Sequence, residues 1–213
     1  MDKEYMIKQT ENWVKEQLEG EGTGHDWHHI QRVTKQAQEI AAIEGADTFI
    51  VSLAALLHDL IDDKVVESEA EGIKHVTKWL ETIGTSKEQE EHILAIITTM
   101  SFKGGNNKPV ETLEAKVVQD ADRLDAIGAI GIARTFIYAG SKGDPMYDPT
   151  IAVREQLTFE EYRNGRSSAI GHFYEKLLKL KDLMNTGEGM KRATARHLFL
   201  NNFLEQFHKE WEG

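Results

Sequence analysis

The chain is expected to fold as an all-α protein, and three observations carry that expectation. Only three prolines interrupt 213 residues, so few positions forbid a helix. Capping boxes of the Ser/Thr-x-x-Glu/Gln kind stand at Ser68-x-x-Glu71, Ser86-x-x-Gln89 and Thr158-x-x-Glu161. Apolar residues also recur at helical spacing, most plainly at Val33, Ala37, Ile40 and Ala41.

Taken in order, a first helix is expected over 3–18 and a second over 27–44. The second opens on Asp26 as N-cap, and its inward stripe includes His29, one turn before Val33. The run from Asp47 to His58 reads as a buried third helix over 47–59, again with Asp47 as N-cap. The Ser68 and Ser86 boxes open helices over 69–83 and 87–100. Ser101 to Pro109, rich in glycine and asparagine, is a turn-rich loop. Helices over 112–124 and 126–138 follow, built on Val117-Val118 and on the apolar run Ile127 to Ile137. Residues 139 to about 157 exceed an ordinary helix connection, and connections of that length usually carry function or are disordered. Helices over 168–184 and 189–210 close the chain as an accessory pair, with the Lys176 to Lys181 run as a solvated face. No internal repeat or persuasive domain boundary stands out, so 1–213 reads as one domain. A division, if there is one, is expected in the 139–157 loop.

Composition excludes several functions. There is no cysteine, which removes disulfides, thiolate metal sites and thiol nucleophiles and suits a reducing cytoplasm. The charged start, Met1 to Met6, has no apolar run behind it and does not read as a signal peptide, and no membrane span is present. A net charge of −11 argues against nucleic-acid polymers and anionic membranes. It leaves room for a small anionic substrate in a locally positive pocket, and for either a monomer or a homodimer.

The dipeptide His58-Asp59 is the most informative feature. It sits where the apolar third helix runs out, and an imidazole and a carboxylate are costly to bury unless something satisfies them. A divalent metal would satisfy both. Helical neighbours point about 100° apart, so the two converge best where the helix frays or turns. His29 points inward from the second helix, and Asp120, Asp122 and Asp125 lie beside buried stretches downstream, each able to supply a further ligand.

The wording of these segments is His25-Asp-Trp-His-His29-Ile-Gln-Arg32-Val33, then Leu-Leu-His58-Asp59-Leu-Ile-Asp62-Asp63-Lys64, then Gln-Asp120-Ala-Asp122-Arg-Leu-Asp125-Ala. In this order they resemble the HD superfamily of metal-dependent phosphohydrolases, and within it the small bacterial YedJ/YpgQ-type branch. The resemblance covers about Gly24 to Ala139, and the tail from Ser167 is also similar. It implies an HD-domain helical bundle with a metal-binding core over about 24–139 and accessory helices over about 158–213. It makes His29, His58, Asp59 and Asp122 the metal ligands, Asp122 being preferred because the family's last ligand follows an alanine. Some relatives bind two metals through extra histidines. Only His75 and His92 lie in that interval here, which points to one ion.

Two nitrogen and two oxygen ligands suit manganese first, with cobalt, nickel, iron, zinc or magnesium as alternatives. The HD-x-x-acid-acid spacing resembles HD enzymes that cleave nucleotide pyrophosphate groups. It makes Asp62 or Asp63 the base or water-orienting group, with Lys64 on phosphate. Arg32, one turn after His29, is placed to reach a phosphate, and Lys103 and Arg134 are further phosphate candidates. His25 is read as a substrate contact or a cap, and Trp27 as a residue able to stack a base. The function expected is hydrolysis of nucleoside or deoxynucleoside triphosphates with release of pyrophosphate. A phosphodiesterase or 5′-nucleotidase uses the same ligand set. A non-catalytic nucleotide- or metal-binding regulator should show a broken one, and a di-iron oxygenase would need more histidines.

Overall fold

The computed structural model describes residues 2–20, 24–62, 65–66, 68–100, 109–154 and 167–213. The fold is all-α. In chain order the helices are α1 (Lys3–Gln17), α2 (Trp27–Glu44), α3 (Thr48–Leu57), a 3₁₀ turn (His58–Ile61), α4 (Glu69–Ile83) and α5 (Lys87–Thr99). There follow α6 (Leu113–Asp125), α7 (Gly128–Lys142), α8 (Ala169–Glu175), a 3₁₀ segment (Leu177–Leu183) and α9 (Gly187–Glu212). The described residues fall into two compact units, one ending at Ala121 and the other beginning at Asp122.

The first unit is built around α3. Every residue from Phe49 to Leu57 is buried, as expected of a helix that is apolar all round. Asp47 caps its start by accepting hydrogen bonds from Phe49 N–H and Ile50 N–H. Ile30, Val33, Ala37, Ile40 and Ala41 form the buried stripe of α2, the helix that packs against α3. Met6, Thr10 and Val14 of α1 and Ile93, Ile96 and Ile97 of α5 are also buried. The Ser86 capping box is complete, and at Ser68 the hydroxyl accepts from Glu71 N–H. The Thr158 box lies outside the described residues.

In the second unit α9 packs on α7 and on the Leu177–Leu183 segment. Phe173 stacks on Phe203 with ring centroids 5.6 Å apart. The expected helix over 168–184 is two elements, because at Lys176 the backbone leaves the helical region and Leu177 to Leu183 continue at 3₁₀ pitch. Leu177 and Leu180, three residues apart, then share one buried face. The expected loop from 139 starts later, since α7 runs on to Lys142 and ends on Gly143 in the left-handed conformation.

The ion pair of Arg154 with the buried Glu175 carboxylate helps to stabilise this unit. Arg154 donates to both oxygens of Glu175, Nε to Oε1 at 2.7 Å and Nη2 to Oε2 at 2.9 Å, and Ser167 Oγ donates to Oε2 at 3.1 Å. Burial by itself pushes the Glu175 carboxyl up, but Arg154 and Ser167 outweigh it and hold it below its ordinary value. A depressed carboxylate contributes stability above its unfolded pKa and loses it as pH falls through the folded value. Arg154→Met should therefore cost about 3 kcal/mol near pH 7, where the unpaired carboxylate is penalised most. The gap from wild type should shrink as acid protonates Glu175. Urea melts at pH 7 and at pH 4 measure this, and a gap that widens in acid would refute it.

Candidate metal centre

The Asp26 side chain accepts a hydrogen bond from His29 N–H at 2.8 Å, which starts α2 and fixes His29 in its first turn. From there His29 points into the core and is fully buried. His58 and Asp59 are also buried, and they sit where α3 gives way to the 3₁₀ turn. There the His58 Nε2 and the Asp59 Oδ1 lie 3.3 Å apart.

Asp59 is the centre of the cluster. Its Oδ2 lies 2.9 Å from His25 Nδ1 and 3.3 Å from His29 Nε2, and its Oδ1 lies 3.3 Å from His58 Nε2. The His29 and His58 rings meet edge to face with centroids 5.4 Å apart. His25, His29 and Asp59 each bring one ligand atom within 4.8 Å of the others. Burial alone pushes the Asp59 carboxyl up. Positive charge on the His58 and His25 rings outweighs that, with hydrogen bonds from His25 and His29 adding to it, and holds the group well below the ordinary carboxylate range; with the rings neutral, a metal ion would have to supply that charge.

The donor set fits a cation. His58 Nδ1 is 2.8 Å from the carbonyl oxygen of Ala55, which can only accept, so the proton is on Nδ1. In the neutral ring Nε2 is then a lone pair facing the Asp59 carboxylate at 3.3 Å. Two acceptors face each other in a buried place, and a positive charge between them makes the arrangement favourable. A carbonyl that fixes the tautomer and orients the ring is the usual support of a metal-binding histidine.

His25 was expected to touch substrate or cap a helix, and it touches Asp59. The signal was its position four residues before His29, which the N-cap at Asp26 made hard to use. As a support for the Asp59 carboxylate, His25 should be worth about 10–100-fold in metal affinity. His25→Ala should raise the Mn²⁺ concentration for half-maximal turnover by that factor, and an unchanged Mn²⁺ dependence would deny it that role.

Asp62 ends the 3₁₀ turn, its N–H donating to the Asp59 carbonyl at 3.1 Å, while its own carbonyl accepts from Val65 and Val66 N–H. Asp63, Lys64 and Lys103 lie outside the described residues. Asp122 occupies the last turn of α6. Arg134 pairs with the buried Asp125 at 3.0 Å, so its charge balances that carboxylate. Arg123 donates to the Leu183 carbonyl. Trp27 and Arg32 line a recess of about 330 Å³ together with Glu11, Gln31, Thr34, Lys35, Gln38 and Leu56. Sequence reading singled out neither Gln31, Lys35 nor Gln38. Among the remaining histidines, His75 packs edge-on against Trp13, and His92 faces Thr112 and Glu114.

The HD domain family model matches residues 26–127. Over 208 residues the chain is 42% identical to YpgQ of Bacillus subtilis, covering 97% of this chain and 94% of that one. The crystal structure of YpgQ in complex with ADP superposes with a TM-score of 0.80 at 40% identity, covering 99% and 97% of the two chains. An HD-superfamily hydrolase from Bacillus thuringiensis is 47% identical, with a TM-score of 0.78 over the whole of both chains. A protein of Lactobacillus plantarum gives a TM-score of 0.90 at 40% identity, covering 100% and 99%.

Proposed function

The chain belongs to the HD superfamily of hydrolases, and from that premise we propose that it hydrolyses nucleoside or deoxynucleoside triphosphates with release of pyrophosphate. The observation that carries the metal-dependent part is the buried Asp59 carboxylate with His29 Nε2 and His58 Nε2 each 3.3 Å away. His29, His58 and Asp59 would hold the ion, and the resemblance adds Asp122. The ion, manganese for preference, would lower the pKa of its water and neutralise charge on the phosphoryl oxygens. The nucleotide part draws support from YpgQ, which was crystallised with ADP.

What the chain itself contributes is positioning, the main requirement of phosphoryl transfer. Asp59 supplies charge in a dry place, and His25 holds one of its oxygens. The Ala55 carbonyl keeps the His58 proton away from the ion. Asp62 ends the turn that begins at His58, close enough along the chain to accept a proton from the attacking water, with Asp63 beside it. Lys64 and Lys103 are assigned to phosphate.

Phosphorus NMR of a nucleoside triphosphate mixture with Mn²⁺ tests the reading. Pyrophosphate should appear with wild type and be absent with Asp59→Ala. Orthophosphate or tripolyphosphate would move the cleaved bond, and no change with either protein would reject the substrate class. Asp62→Ala with full turnover would remove that residue from the mechanism.

A further inference from the structure

The outward face of α9 differs in the middle from its two ends. Gly189, Ala193, Leu200 and Leu204 are buried, while Lys191, Thr194, Ala195, Leu198, Asn202 and Glu205 are all exposed. At 100° per residue those six lie within about 60° of Leu198, on the side away from the buried four. They recur in steps of three and four, the heptad spacing by which one helix packs lengthwise on another. Between Arg192 and Glu205 the only Asp, Glu, Lys or Arg is Arg196, and it turns to the far side to donate to the Leu124 carbonyl. Leu198 is 61% exposed, and Phe199 at the edge of the stripe is 51% exposed. A scattered exposed leucine needs no explanation. Two adjacent large apolar side chains on a face without charge, in a chain that is 29% charged, do need one.

The charges that end the stripe point to its occupant. Lys191 stands seven residues before Leu198 and Glu205 seven after it. A two-fold axis at Leu198 therefore brings Lys191 of each copy to Glu205 of the other, at both ends of an antiparallel helix pair. The same operation sets Thr194 against Asn202, Ala195 against Asn201, and Leu198 against its own mate. A parallel pair would instead oppose Lys191 to Lys191 and Glu205 to Glu205. Within one chain Lys191 lies 3.6 Å from Glu188, and Glu205 lies 2.6 Å from Lys209. Both are exposed pairs along one helix, which contribute little, so sharing those charges across an interface loses little. The stripe holds one charge of each sign. On a chain of net charge −11 it is a neutral place where two copies can meet without like charges opposed.

We propose that the outward face of α9 is a homodimer interface, in which two copies of this chain pair antiparallel about a two-fold axis at Leu198. The inference is independent of the reaction assigned above.

Because the chain has no cysteine, single introduced cysteines report the geometry. Leu198→Cys meets its own mate on the axis and should give a disulfide-linked dimer on mild oxidation. Lys191→Cys stands about 20 Å from its mate, beyond the reach of a disulfide, and should run as a monomer on a non-reducing gel. The double variant Lys191→Cys with Glu205→Cys should cross-link between copies. Sedimentation velocity of the wild type at submillimolar concentration and physiological salt should give twice the monomer mass. Leu198→Lys, a change at an exposed position, should sediment as a monomer with its helical circular dichroism intact. A wild type of monomer mass throughout would overturn the proposal and leave the face to a different protein. A dimer that survives Leu198→Lys would overturn it by placing the interface elsewhere. Equal cross-linking of Leu198→Cys and Lys191→Cys would overturn it too, since no antiparallel pair centred on Leu198 allows both.

Discussion

Asp59→Asn is expected to fold and to have no metal-dependent turnover. The substitution keeps the shape of the side chain and removes the charge around which His25, His29 and His58 are gathered. Loss of a metal ligand removes several kcal/mol of transition-state stabilisation, on the order of a thousandfold or more in rate. A thermal readout separates this from misfolding. An ion at about 100 times its dissociation constant stabilises a folded protein by about 2.7 kcal/mol, or roughly 5–10 °C for a chain of this size. Wild type should show that rise on adding Mn²⁺, and Asp59→Asn should melt at the same temperature with and without it. A full Mn²⁺ shift in the variant would remove Asp59 from the ligand set.

The parts of this picture that were legible in the sequence are those governed by local chemistry. Asp26 and Asp47 announce their helices because a carboxylate before an apolar run satisfies N–H groups that nothing else reaches. The apolar run to Leu57 could only be an interior helix, and His58 and Asp59 at its end had to be buried with it. What escaped depends on longer-range packing. His25 precedes the cap, where no helical periodicity tells its direction, and only the path of the chain brings it to Asp59. The break at Lys176 is invisible in Lys176-Leu-Leu-Lys-Leu-Lys181, which fits an α-helix as well as the 3₁₀ segment that buries Leu177 and Leu180.

The second large effect lies outside the cluster, at Gly72. In an exposed helix Gly→Ala stabilises by about 0.8–1.0 kcal/mol, because alanine loses less backbone freedom on folding. Gly72 should reverse that sign. A methyl group there would stand 2.7 Å from the Leu60 carbonyl oxygen, 2.8 Å from Ile61 Cα and 3.2 Å from Val66 Cγ2. Two of those three atoms are backbone, so no side-chain rotation relieves the clash, and α4 must move away from the 3₁₀ turn or the turn must move. That turn is His58–Ile61, the segment that carries His58 and Asp59, two of the proposed metal ligands. Gly72→Ala should cost about 1–3 kcal/mol of stability, the usual range for overpacking. It should also weaken Mn²⁺ binding by about tenfold, since small displacements of a ligand's supporting shell carry that penalty. Gly140→Ala supplies the control: it lies on α7 with nothing within 4 Å of the added carbon, so it should gain stability and leave Mn²⁺ binding unchanged. Urea melts and Mn²⁺ titrations of the two variants decide the matter. If Gly72→Ala proved as stable as Gly140→Ala with wild-type Mn²⁺ affinity, the close approach of α4 would not be what holds the His58-Asp59 turn in place.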